Sequence, residues 1–254
     1  MTPHCLNCST PLNSPYCPQC GQSAGVHRYT LAGLLHDVPH AVFHVDRGLW
    51  PTLWGVLVRP GSTIRGYLEG QRVRHFNPLT LLVLCASLYV ACYGRADFLP
   101  QISRLGGEHM AAMGFDLLGW FTRAFSLLML VAVPLQAWAN WLCFRRERYN
   151  LAEHMVAVAF ISAATTVLMV VPLFPLLWGL SRQGPAAQAW IGPLWLVGVA
   201  LTTSYQSWAL AQVFDRPGLR PKASWRVQGG MVLLLLMVAV PAFVMGVAWV
   251  VLRR

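Results

Sequence analysis

Cys5, Cys8, Cys17 and Cys20 set out C-x2-C-x8-C-x2-C within the first twenty residues. Each C-x2-C pair can wrap two sulfurs around one metal ion in a tight knuckle, and four thiolates at about 2.3 Å close a tetrahedral site. In CPQCG, Pro18 stiffens the turn and Gly21 can take the positive φ that lets backbone N–H groups point at the sulfurs. The spacing predicts a metal ribbon holding structural Zn2+, with a rubredoxin-like iron site as the alternative because it uses similar knuckles. Two disulfides are the competing use of four cysteines, and a cytoplasmic location disfavours them. A closed four-cysteine shell leaves no position for water or substrate, so the metal is expected to stabilise a fold rather than catalyse a reaction. A ribbon of about twenty residues depends on that metal for its stability, and its expected job is to present a small surface to a protein partner.

The remaining candidates for chemistry lie farther along the chain. Arg65, Arg72, Arg74 and His75 fall within one short stretch and form a candidate site for an anion or a lipid headgroup, against the plainer role of cationic membrane flank. Glu153, His154, Gln136 and Asn140 fall inside or at the ends of apolar segments, where polar side chains are candidates for function. Asn150 followed by Glu153 also reads as a capping box, and buried amides can glue helices together, so a structural role is weighed against the functional one. Ser204, Gln206 and Gln212 mark a further apolar segment in the same way, while His36, His40 and His44 recur every fourth residue and form a metal or pH-sensing column if they share a helix face. Cys85, Cys92 and Cys143 read as small packing residues. No paired carboxylates, nucleophile with its base, or intramembrane histidine cluster accompanies these residues, so no enzymatic reaction is expected.

The elements that must position these groups are membrane helices. The chain has 254 residues, 56% hydrophobic and 11% charged, whereas soluble domains carry about 25% charged residues. Stretches free of Asp, Glu, Lys and Arg run over 76–94, 124–144, 154–180, 183–214 and 227–252. They predict an all-α membrane protein of about five transmembrane helices, near 76–94, 124–144, 154–180, 190–213 and 230–252. The expected organisation is a zinc ribbon over 1–25, a cytoplasmic interfacial segment over 26–75 and a transmembrane helical domain over 76–254. The first apolar run begins far from the N-terminus, behind the cysteines, so no cleavable leader is expected.

Eleven cations flank the helices on the N-terminal side of the membrane and six on the other. This asymmetry predicts a cytoplasmic ribbon on a multi-pass protein of the bacterial inner membrane. The net charge of +10 does not imply nucleic-acid binding, because the first cation is Arg28, beyond the ribbon, and the others follow the membrane flanks. Anionic lipids are the expected partners of those arginines. Between ribbon and bilayer, Leu31, Leu34, Leu35, Val38, Ala41, Val42 and Val45 form an amphipathic stripe, interrupted by Pro39. Trp50 and Trp54 suit the headgroup level. Pro60 and Gly61 predict a turn, Ser62 or Thr63 a helix cap, Gly70 a helix end, and Asn77-Pro78 the cap and first residue of the first membrane helix.

Cys5, Cys8, Cys17, Cys20, Gly21 and Gln22, followed by Pro60, Gly61, Arg65, Tyr67, Gly70, Arg72 and Pro78, resemble a family of bacterial membrane proteins of unknown function. That family joins an N-terminal zinc ribbon to a PG..IR.Y..G.R signature. YNLAEHMVAVAF at 149–160 is similar to the family's Glu-His pair at the start of a membrane helix. Ser9 departs from the usual glycine of the first knuckle, and Gln71 from a common lysine. The resemblance implies the ribbon and the membrane domain but no activity. The expected function is non-enzymatic recruitment or scaffolding through the ribbon; the alternative is transport or lipid handling by the helical bundle, with Glu153 and His154 as a polar gate.

Overall fold

A computed structural model describes residues 4–33, 48–93, 131–142, 144 and 149–214 of the chain. The histidine column, most of the amphipathic stripe, Cys143, much of the expected helix over 124–144 and all of that over 230–252 lie outside these residues.

The described architecture is all-α, with helices α1 (Leu49–Val58), α2 (Pro60–Leu68), α3 (Pro78–Tyr93), α4 (Leu151–Val170), α5 (Leu173–Ser181), α6 (Pro185–Gln188) and α7 (Ile191–Phe214). A further helical segment covers 131–142. The ribbon contributes two isolated antiparallel bridges, His4 to Pro11 and Tyr16 to Ser23.

The central helix is α4. Its run of Ala152, Ala157, Ala159, Ala163 and Ala164 leaves little side-chain bulk, and nearly every residue from Ala152 to Ala164 is buried. A helix apolar all round belongs in the middle of its fold. Leu81, Leu82 and Cys85 of α3 share a core with Val156–Ala164, while Tyr89 and Tyr93 share one with Met169, Val170 and Leu173. α3 therefore runs parallel to α4, and the Tyr93 hydroxyl donates to the Met169 carbonyl at 3.0 Å. α7 returns antiparallel: Gly198 lies against Met169 and Leu173, and Phe214 stacks on His154 with ring centroids 4.2 Å apart.

Local signals set the helix ends. Asn77 Oδ1 accepts from the Leu79 N–H at 2.9 Å and from that of Thr80 at 3.4 Å, with Pro78 as the first helical residue. The helix expected to begin at His154 begins three residues earlier, because Asn150 and Glu153 form a capping box that brings Glu153 into the first turn. It also breaks at Val171 and Pro172, where proline lacks the N–H that would continue the ladder, and α5 follows. Pro193 interrupts nothing, since it lies in the first turn of α7, where N–H groups have no intrahelical partner. α2 begins at Pro60 itself, so Ser62 and Thr63 are helical residues rather than its cap. Gly70 follows its end with φ +110°, a conformation that favours glycine.

Two helical stretches among the described residues are long and apolar enough to cross a membrane: Leu151–Ser181, 31 residues, and Pro185–Phe214, 30 residues. The first is mostly buried in the protein, and the second exposes most of its surface. α3 has 16 residues, about 24 Å of helix, which is short of a hydrocarbon core of about 30 Å.

Candidate metal centre and its docking surface

The four sulfurs of Cys5, Cys8, Cys17 and Cys20 lie within 4.8 Å of one another. Cys5 to Cys20 is 3.6 Å, Cys8 to Cys17 is 3.5 Å and Cys8 to Cys20 is 3.6 Å. A tetrahedron with metal–sulfur bonds of about 2.3 Å has edges of about 3.8 Å, so the cluster fits a metal ion such as zinc. The two knuckles repeat one design. Cys5 N–H donates to Thr10 O and Ser9 N–H to Cys5 O, each at 2.8 Å; Cys17 N–H donates to Gln22 O at 2.8 Å and Gly21 N–H to Cys17 O at 2.9 Å. Ser9 has φ +62° where Gly21 has +74°, so the serine occupies the glycine conformation at a steric cost that glycine avoids. The Thr10 hydroxyl and backbone hold the Cys8 thiol down to about 6, whereas burial and the neighbouring Cys5 and Cys8 thiols push Cys20 up to about 11, so the thiols share their protons unevenly.

The ribbon is docked on the rest of the chain. Gln22, two residues beyond Cys20, is buried; its Nε2 donates to Gly70 O at 2.9 Å, and its Oε1 accepts from the N–H groups of Arg72 at 3.1 Å and Val73 at 3.3 Å. From the first knuckle, Asn7 Oδ1 accepts from Arg74 N–H at 3.2 Å. Leu6 lies so close to Gly70 that an added Cβ there would be 2.7 Å from Leu6 Cδ1. Gly70 thus serves both the turn after α2 and the approach of the ribbon.

Beyond the ribbon, the chain grips the start of α4. Arg28 makes a two-pronged ion pair with Glu153, Nε to Oε1 at 2.9 Å and Nη2 to Oε2 at 2.6 Å. Only 3% of the Glu153 side chain is exposed, against 64% for Arg28, and the pair raises the Arg28 pKa further above its ordinary value. Asn150 Nδ2 donates to Tyr29 O at 2.9 Å. The Tyr29 and Tyr67 hydroxyls share a 2.7 Å hydrogen bond beneath stacked rings, and Tyr67 meets Phe160 edge-on at 5.1 Å. Arg72 closes the arrangement, donating to His27 O with its guanidinium 4.1 Å above the Tyr29 ring.

Residues 46–90 match a family model described as a protein of unknown function, DUF3667. The matched segment contains α1, α2, most of α3 and the whole PG..IR.Y..G.R stretch, and therefore the surface on which the ribbon sits. No curated protein and no solved structure matches the chain.

The four candidate anion-binding residues turn to different partners. Arg65 donates to the carbonyls of Gln212 and, at 3.5 Å, Val213, and so ties α2 to α7. Arg72 serves the docking surface, and the Arg74 side chain is exposed. Burial, reinforced by the charge of Arg74, lowers the pKa of His75 and favours its neutral form. Of the intramembrane candidates, Glu153 is engaged by Arg28 and by its own cap, whereas His154 and Asn140 are fully buried and Gln136 nearly so. Among the described residues, both His154 nitrogens, both Asn140 side-chain polar atoms and Gln136 Nε2 find no hydrogen-bond partner. Gln212 sits against α2, its Oε1 accepting from Gly61 N–H at 3.4 Å, and Ser204 bonds back to Ala200 O within α7. Cys85 is buried among apolar neighbours and Cys92 is partly so, in keeping with packing roles.

Sequence reasoning assigned no role to Arg28 or Tyr29. The available signal was a carboxylate in the first turn of an apolar helix, which needs a cation, together with one isolated arginine just after the ribbon.

Proposed function

We propose that this chain is a multi-pass protein of the bacterial inner membrane that displays a cytoplasmic zinc ribbon, in a fixed orientation, to a protein partner. The observation carrying this reading is the division of the ribbon into two sides. Leu6, Asn7 and Gln22 face the turn after α2, while the loop Asn13–Tyr16 is exposed, Tyr16 by 65%. The exposed loop carries no charge, which suits a protein surface better than a phosphate backbone.

Membrane insertion is supported by tryptophans at both ends of the second long helical stretch. Trp190 and Trp208 are exposed and eighteen residues apart, about 27 Å along a helix and close to the thickness of a hydrocarbon core. Arg182 lies 4.5 Å over the Trp178 ring near the first of these ends. Trp50, Trp54 and Val58 expose one stripe of α1, which is tied to α7 by the Tyr205 hydroxyl donating to Val56 O at 2.6 Å. Such a stripe belongs at the cytoplasmic headgroup level, with Arg74 available to anionic lipid.

The test is partner capture from detergent-solubilised membranes at matched protein abundance. Tyr16→Arg should lose a specific partner while retaining zinc, and Cys17→Ser with Cys20→Ser should lose both. An unchanged captured set in both variants would overturn recruitment. A second reading, transport or lipid handling by the bundle, is favoured by the buried polar atoms of Gln136, Asn140 and His154 that have no partner among the described residues, because such groups are costly to bury alone. It gains if Asn140→Leu and His154→Leu abolish a membrane phenotype that the ribbon variants leave intact.

A further inference from the structure

We propose that metal binding by the ribbon and closure of the Arg28–Glu153 contact form one coupled equilibrium, a metal-responsive latch on the start of α4. The latch rests on the ribbon holding a metal, but it stands whether or not a partner is recruited.

The coupling begins in the second knuckle. The Gln22 carbonyl accepts from the Cys17 N–H, so the loop that orders two of the sulfurs also fixes the backbone of Gln22. The side chain of the same residue makes three hydrogen bonds to the backbone of the turn after α2, at Gly70, Arg72 and Val73. A knuckle without metal has too little apolar burial to hold that geometry. The first knuckle adds Leu6 against Gly70 and Asn7 on the Arg74 N–H. Both halves of the metal site therefore bear on one turn.

That turn is connected to α4 by the chain leaving the ribbon. Arg72 holds His27 O and covers Tyr29; Tyr29 bonds Tyr67 through its hydroxyl and Asn150 through its carbonyl; Arg28 meets Glu153. Release of the ribbon takes the cation away from a buried carboxylate. A carboxylate buried without its cation is costly, so the first turn of α4 must then hydrate or open. The closed and open arrangements are thus discrete, and metal favours the closed one through residues that never touch it.

Linkage makes this testable, because whatever factor the metal lends to closure, closure must return to metal affinity. Zinc affinity of the full-length protein in detergent would be measured by competition with a chromophoric chelator. The wild type would be compared with Arg28→Met, Glu153→Gln and the double variant. Arg28 is largely exposed and Glu153→Gln preserves size and a capping oxygen, so both variants should fold, with far-UV circular dichroism as the check. The expected result is a 5- to 50-fold loss of zinc affinity in each single variant, within the usual range of coupling between sites. The double variant should be no weaker than the weaker single one, since both remove the same contact. Affinities within twofold of wild type in both single variants would overturn the latch. Losses that multiply in the double variant would do so too, because they would place the two residues in separate effects. Partner capture is a separate readout, so failure of recruitment and failure of the latch are distinguishable.

Discussion

Gly61→Val is expected to destabilise the protein by about 2–4 kcal/mol, the sum of overpacking and the loss of a helix-end contact. Gly61 sits where α2 crosses the end of α7, and a Cβ added there would lie 2.7 Å from Gln212 O, 2.9 Å from Gln212 Cβ and 3.1 Å from Gln212 C. Two of these atoms are backbone, so no rotamer change relieves the clash and the helices must separate. Separation also breaks the Gly61 N–H contact to Gln212 Oε1 and pulls Arg65 from the carbonyls it holds. Thermal unfolding in detergent would check the effect. Gly179→Ala is the control: a Cβ there meets nothing within 4 Å, and the position is helical, so alanine should be neutral or slightly stabilising.

Cys17→Ser combined with Cys20→Ser should abolish stoichiometric zinc and unfold residues 4–30 while the helical bundle persists. Structural zinc contributes about 10–16 kcal/mol of apparent binding free energy in small domains, far more than the ribbon's small apolar core of Cys5, Leu12 and Cys17 supplies. The core around α4 consists of residues from the helices and needs nothing from the knuckles apart from the neighbouring Tyr29. Hydrogen exchange in the intact protein should therefore rise in 4–30, in the turn over 70–76 and in the first turn of α4, and stay low in 156–164. Protection retained across 4–30 in the zinc-free variant would contradict a metal-dependent ribbon.

What was legible in the sequence is local. The C-x2-C pairs lie within single turns, and the caps at Asn77 and Asn150 act on residues two or three positions away, so spacing alone exposes them. The apolar runs marked α3, α4 and α7 because each lacks Asp, Glu, Lys and Arg over most of its length, whichever faces it buries. The roles of the signature residues were hidden, since their partners lie far along the chain: Gln22 with Gly70, Arg28 with Glu153, Arg65 with Gln212. Four basic residues in one short stretch suggested a shared anion. Instead the fold sends Arg65 to backbone carbonyls of α7 and Arg72 to the ribbon, where the Gln212 carbonyl and the aromatic face of Tyr29 engage them. The bounds 154–180 differ from those of α4 for a simpler reason: absence of charge marks where a helix can be buried, not where its hydrogen-bond ladder begins or ends, although the Asn150–Glu153 pattern already pointed to the earlier start.

Photocrosslinking would establish whether the ribbon sits on the turn after α2 in the membrane-bound protein. A benzophenone side chain at Leu6, half-exposed and in contact with Gly70, would be activated in intact membranes and its products mapped by mass spectrometry. An intramolecular crosslink to residues 66–74, lost on zinc chelation, is the expected result. Crosslinks that reach lipid or other proteins but never that turn would contradict it and leave the ribbon a free arm.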